Sequence, residues 1–210
     1  MAVTNKRSVI SLYSGAKDPY SHQIRIVLEE KGITFDVIDV DSSIIAKEEV
    51  AECNPYGTVP TLVDRDLVLY KSAIIAEYID ERFPHPPLLP VYPVLKARSR
   101  LMIYRIQRDW YSLMAKILTP GLGSEDLDSL RQNLLDSILS ATPIFGENPY
   151  FLSEEFSLID CWIVPLLWRL PAMGITLPAN ATAIIQYQEK MFARPAVQAS
   201  LTDAERSMVL

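Results

Sequence analysis

The grammar of this chain changes once, and that change limits its fold more than any other feature. Up to RFPHPPLLPVYP, residues 82–93, short β-rich runs alternate with apolar residues at helical spacing. Beyond it the strand patterns vanish and long helical segments remain. A chain written this way folds as an α/β unit followed by an all-helical unit. The joint holds five of the fifteen prolines and one of the two histidines. Each proline removes a backbone donor and fixes its own φ, so the stretch cannot continue a sheet or a helix and reads as an extended, exposed connector. The expected division is residues 1–84, a connector at 85–93, and residues 94–210.

In the first part, residues 8–13 read as a strand (Val9, Ile10, Leu12, Tyr13). Asp18-Pro19 supplies an N-cap and an N1 proline, Ile24, Val27 and Leu28 recur at helical spacing, and Gly32 ends the helix. Residues 33–40 return to strand alternation, with Ile33, Phe35 and Val37 inward and Thr34 and Asp36 outward. This β-α-β unit predicts two parallel strands. A less regular stretch runs to Cys53. Residues 60–64 and 67–70 then form a hairpin around Arg65-Asp66, and Ser72 caps a helix whose apolar face is Ile74, Ile75, Tyr78 and Ile79. The order is β-α-β-α-β-β-α. Helices are expected over 94–118, 125–146, 157–171 and 181–193, separated by loop signals such as Thr119-Pro120-Gly121. Ser157 and Asp160 have capping-box spacing, and Phe156 and Cys161 sit at the staple positions.

Composition narrows the partners. Twenty basic against twenty-six acidic residues give a formal charge of −6, which argues against a protein that grips a phosphate backbone unaided. Cys53 and Cys161 belong to no CxxC pair and read as idle thiols in a reducing compartment. His22 and His85 are too far apart in sequence to suggest a metal site. The apolar stretch near the start is too short for a signal peptide, and there is no run of about 18 apolar residues that could span a bilayer. A cytoplasmic protein with no membrane partner is expected.

Two local motifs give the α/β half a family likeness. Asn54-Pro55-Tyr56-Gly57-Thr58-Val59-Pro60-Thr61-Leu62, followed by Lys71-Ser72, resembles the glutathione S-transferase superfamily: a thioredoxin-like N-terminal domain with an all-α C-terminal domain. The resemblance implies a cis bond before Pro60 that turns the Val59 backbone to a ligand. It also implies that Ser72 offers its hydroxyl and N–H to a carboxylate. Two positions depart from the pattern. Asp18-Pro19-Tyr20 stands where redox-type members have Cys-Pro-aromatic. An ionised Asp18 accepts hydrogen bonds but donates none, and beside a thiolate at about 4 Å it costs roughly 1 to 4 kcal/mol. Lys71 replaces an acid that pairs with the ammonium of glutathione, and it repels that ammonium. Tyr13, Ser14, Tyr20 and Ser21 are the hydroxyls near the pocket. His22, one turn beyond Asp18, reads either as a general base or as a structural histidine paired with acid. Asp18, Val59, Pro60, Lys71 and Ser72 are therefore vestigial glutathione-site positions. No resident cofactor, metal or catalytic residue is expected, and any residual glutathione binding would have no functional role.

Within that superfamily, YSHQIRIVL (residues 20–28), VPTLVDR (59–65), YIDERFPHPPLLPVYPV (78–94), RDWYSLM and PYFLSEEFSLIDCW resemble the bacterial stringent starvation protein A family along nearly the whole chain. That resemblance implies a homodimer that binds RNA polymerase holoenzyme with its sigma factor, reaches DNA only through the polymerase, and lacks transferase activity. Pro84, His85, Pro86 and Tyr92 match the family's partner-binding patch, while Phe83, Leu88 and Leu89 are expected to hold the domain joint. The competing expectation is a glutathione-dependent transferase or reductase. A third is a sensor that keeps glutathione or an anion in the old pocket.

Overall fold

The computed structural model describes residues 9–121 and 123–208. Four strands, β1 (Ile10–Ser14), β2 (Phe35–Asp39), β3 (Thr61–Asp64) and β4 (Leu67–Tyr70), form one sheet in the order β2-β1-β3-β4. β1 and β2 are parallel, with Ile10 opposite Phe35, because helix α1 (Pro19–Glu30) crosses over between them. β3 runs antiparallel to both β1 and β4, the latter through a turn in which Arg65 takes φ of 60°. The expected strand start at Ser8 lies outside the described residues.

Alternation along β1 divides the core. Ile10 and Leu12 join Leu62 under α1 and α3 (Ser72–Arg82), within the large core shared with the helical half. Tyr13 faces the other side, where α2 (Ile44–Cys53) covers a small cluster of Val40, Ala46 and Val50, flanked by Ile38 and Val59. Val37 was expected inward but is exposed, because β2 is an edge strand and neither helical layer reaches it. Ile74 is also exposed, and the buried face of α3 is Ile75, Ala76 and Ile79. Ser72 is not the cap of α3. Lys71 takes that position at φ 72° and ψ 115°, and no side chain caps the helix.

The helical half runs α4 (Pro93–Ile106), a π-helical turn (Gln107–Tyr111), α5 (Ser112–Leu118), α6 (Ser124–Ser140), α7 (Thr142–Glu147), α8 (Leu158–Trp168), α9 (Thr182–Phe192), α10 (Pro195–Ser200) and α11 (Asp203–Arg206). The segment expected as one helix over 94–118 thus contains a π turn. The segment over 125–146 breaks where Thr142-Pro143 restarts the chain. α10 and α11 are too short for periodicity to reveal. α8 is buried along its whole length and packs on α1, and its start has the expected capping box of Ser157 and Asp160. Among the described residues no helix is long and apolar enough to cross a membrane.

A buried ion cluster locks the C-terminal end onto the α/β half. Glu205 on α11, fully buried, pairs with Arg25 of α1 at 2.7 Å and with Arg169 just beyond α8. Arg25 Nε also donates to the Ser200 carbonyl at 2.7 Å, and Arg169 Nη2 to the Lys17 carbonyl at 3.0 Å. Thr202 Oγ1 donates to the Ala16 carbonyl at 2.6 Å. By contrast the Arg100–Glu77 pair is exposed and solvated, so its contribution is about 1 kcal/mol or less. Removing Glu205 strands two guanidiniums in the interior. Glu205→Gln is expected to lose about 3 to 5 kcal/mol in urea unfolding, and Glu77→Gln about 1 kcal/mol or less. Equal losses would show that the buried cluster is not the lock.

Candidate functional site

Two surfaces stand out, one in the α/β half and one at the joint. The first is a cavity of about 420 Å³ lined by Tyr20, Thr58, Val59, Pro60, Lys71, Ser72, Ala73 and Gln107. The Val59–Pro60 bond is cis. The loop before it is held by the Asn54 amide, which donates to the Thr58 carbonyl at 3.0 Å and to Thr61 Oγ1 at 2.9 Å. Val59, Pro60, Lys71 and Ser72 therefore meet, as the family resemblance implied, and are joined by Tyr20. Thr58, Ala73 and Gln107 were not anticipated. Gln107 arrives from the π turn of the helical half, which no motif announces.

Asp18 does not line this cavity. Its Oδ2 accepts from Ser21 N at 2.6 Å and from Ser21 Oγ at 2.7 Å, so it works as the N-cap of α1. Burial pushes its carboxyl up, while the Ser21 bonds and then Arg169 and Arg25 pull it down. Of Tyr13, Ser14, Tyr20 and Ser21, only Tyr20 lines the cavity. Tyr13 donates to Glu49 Oε2 at 2.9 Å on the α2 side, and burial and that glutamate push its pKa up to about 12. Ser14 is taken by Arg25, and Ser21 Oγ lies between Asp18 and the Gly15 N–H at 3.1 Å. Burial raises the thiols of Cys53 and Cys161, the opposite of activation.

His22 is fully buried, as the structural reading has it, but the acid beside it is Glu205 rather than Asp18. Nε2 lies 3.1 Å from Ser200 Oγ, whose own proton goes to the Val197 carbonyl at 2.8 Å. Nδ1 lies 3.1 Å from Arg169 Nη1 and 3.5 Å from Glu205. Ser200, His22 and Glu205 thus have the connectivity of a serine–histidine–acid relay, but its polarity is wrong. Arg169 can only donate, so Nδ1 must be the acceptor and Nε2 carries the proton. The serine faces no solvent. Burial, then Arg169 and Arg25, hold the imidazole well below its usual pKa.

The second surface is at the proline-rich joint. Leu88 and Leu89 are buried and Phe83 is half-buried, while Pro84, His85, Pro86 and Tyr92 are exposed, Tyr92 by 74%. Asp80 at the end of α3 organises the segment. Its carboxylate accepts the N–H groups of Leu88 and Leu89 at 2.8 and 3.2 Å. Lys31 Nζ donates to Asp80 at 2.6 Å and to the Pro86 carbonyl at 2.5 Å. The His85–Pro86 bond is cis. Leu88 returns a carbonyl to the N–H of Leu158 at 2.8 Å, tying the connector to α8. Beside it runs a groove of about 400 Å³ with Pro87, Pro90, Val91, Tyr92 and Leu95 on one wall and Ser153, Glu154 and Glu155 on the other. Tyr92 lines this groove, whereas Pro84, His85 and Pro86 stand on the neighbouring turn. The Ser153–Glu155 wall and the Lys31–Asp80 pair escaped the sequence reading, since nothing local links them to the prolines.

This mixed sheet with its cis-proline cavity and helical second half is the architecture of the glutathione S-transferase superfamily. Residues 19–82 match the family model for the glutathione S-transferase N-terminal domain. The Tau class glutathione S-transferase of mango, Mangifera indica, superposes with a TM-score of 0.82 at 21% identity, covering 97% of each chain. Relatives of higher identity are stringent starvation protein A homologs. The stringent starvation protein A homolog of Coxiella burnetii is 48% identical over 204 residues, 97% of this chain and 96% of that protein. The homolog of Pasteurella multocida is 50% identical over 95% of this chain and 93% of its own length. The chain belongs to the stringent starvation protein A family.

A neutral His22 makes stability depend on pH. Between its folded pKa and about 6.5 the unfolded chain binds a proton that the folded one excludes, so stability falls as pH falls below about 6.5. The expected slope approaches about 1.4 kcal/mol per pH unit in urea midpoints, and His22→Gln should flatten that part of the profile. An unchanged profile in that variant would locate the titration elsewhere.

Proposed function

We propose that this chain is a transcription accessory protein that docks on RNA polymerase holoenzyme, including its sigma factor, through the exposed proline-rich turn and carries out no transferase chemistry. The observation that carries the reading is the presentation of Pro84, His85, Pro86 and Tyr92 on a frame fixed from beneath by Asp80 and Lys31. A surface ordered before binding loses little conformational entropy when a partner arrives. The near full-length likeness to stringent starvation protein A homologs supports the choice of partner. With a formal charge of −6, contact with DNA comes through the polymerase.

The absence of thiol chemistry fits the committed side chains. Asp18 is spent as a helix cap and Lys71 brings positive charge to the cavity. The protein acts as a homodimer in this reading. Exposed Ile74, Leu101 and Tyr104 leave apolar area on α3 and α4, beside the Arg100–Glu77 pair that joins those helices.

A Pro84→Ala/His85→Ala/Pro86→Ala variant is expected to stay folded and dimeric while holoenzyme retention on an affinity column drops at least about tenfold, the range of a hot-spot loss. Retention at the wild-type level would remove the turn from the interface. A thiol-conjugation assay on the same sample should give background rates, and turnover without polymerase retention would favour a glutathione-dependent enzyme.

A further inference from the structure

A second cavity, of about 190 Å³, lies inside the helical half and shares no lining residue with the α/β cavity. Met102 and Ile106 of α4, Trp110 of the π turn, Ile144 of α7 and Phe151 give it apolar walls. A cavity of about 150 Å³ is enough for a benzene ring, so this one takes a single aromatic ring and little more. Trp110 is fixed in the wall, because its indole N–H donates to Ser137 Oγ at 2.9 Å. The mouth is polar. Arg105 and Asp109 line it, both exposed, and neither forms an ion pair or a hydrogen bond among the described residues. Opposite charges four residues apart on an α-helix are neighbours that ordinarily attract. Here the π turn starts at Gln107, between them, and its i→i+5 bonding moves Asp109 out of line with Arg105. α6 ends at Ser140, which also lines the cavity, so the negative end of that helix dipole meets the same opening.

We propose that this cavity binds an aromatic α-amino acid, a single ring on a short stem that ends in a carboxylate and an ammonium on one carbon. The ring fills the apolar space walled by Trp110 and Phe151. Arg105 takes the carboxylate, and Asp109 with the end of α6 takes the ammonium. An aromatic acid without the ammonium leaves Asp109 facing a like charge. An aromatic amine without the carboxylate does the same to Arg105. The π turn makes the site, since a regular helix would bring the two charges together and leave neither for a ligand. None of these residues belongs to the proline-rich turn, so the inference is independent of the polymerase reading and survives its failure.

The test is isothermal titration calorimetry of the full chain with L-phenylalanine, hydrocinnamate and phenethylamine. The three share a ring and a stem and differ only in their charged groups. L-Phenylalanine should bind at least about tenfold more tightly than either analogue, the contribution of one charge-assisted hydrogen bond. Arg105→Gln should erase its advantage over phenethylamine, and Asp109→Asn its advantage over hydrocinnamate. Both side chains are exposed, so these variants should keep the wild-type urea midpoint. Ser140→Phe, at an exposed position of the lining, should block all three ligands. Either analogue binding as tightly as L-phenylalanine would overturn the proposal. So would L-phenylalanine binding that Ser140→Phe leaves unchanged, or the lack of saturable binding with every probe.

Discussion

The Glu205 carboxylate is the pin on which the two halves turn. It sits between a guanidinium from the first helix of the sheet domain and one from the end of the central helix of the second domain. Taking three charges out of water is unfavourable, and only full hydrogen bonding offsets it. Here the surplus donors find the Ser200 and Lys17 carbonyls, and Thr202 closes the remaining gap at Ala16. His22 remains neutral inside this cluster, since a third cation there would face two guanidiniums. The arrangement explains why residues near the chain end hold the loop between β1 and α1.

A second carboxylate does comparable work at the joint. Asp80 ends a helix with its side chain turned back under the connector, satisfying Lys31 and two amides that prolines on either side leave without helical or strand partners. The prolines restrict the path, and Asp80 and Lys31 select one course along it. The exposed turn is thus ordered by residues that do not themselves reach the surface.

Much of the fold was legible because its signals are local. The Asp18-Pro19 start of α1, the Gly32 stop at φ 59°, the hairpin at Arg65 and the Ser157 capping box each depend on a few neighbouring residues. Four positions of the cavity were legible through the resemblance of two short motifs to a known family, not through any local signal that they meet. What failed depends on distance. Ser72 looks like a cap in sequence, and only the positive φ of Lys71 moves the cap back one residue. Val37 and Ile74 follow the apolar pattern yet face solvent, because alternation names a face and not what covers it. His22 seemed bound to Asp18 by helical spacing, but its partners come from residues more than 140 positions away.

The uneven division of the core has a further consequence. The sheet face under α1 and α3 belongs to a continuous interior, whereas the face under α2 rests on Val40, Ala46 and Val50 with three half-buried neighbours. Local opening follows buried apolar contact, so α2 is the foldon with the least holding it to the sheet. Val59 packs against that small cluster and also forms part of the cavity wall. A thinly held layer therefore runs beside the cavity, and loosening of α2 is expected to reshape that wall without breaking the Glu205 ion pairs, which lie on the other helical layer.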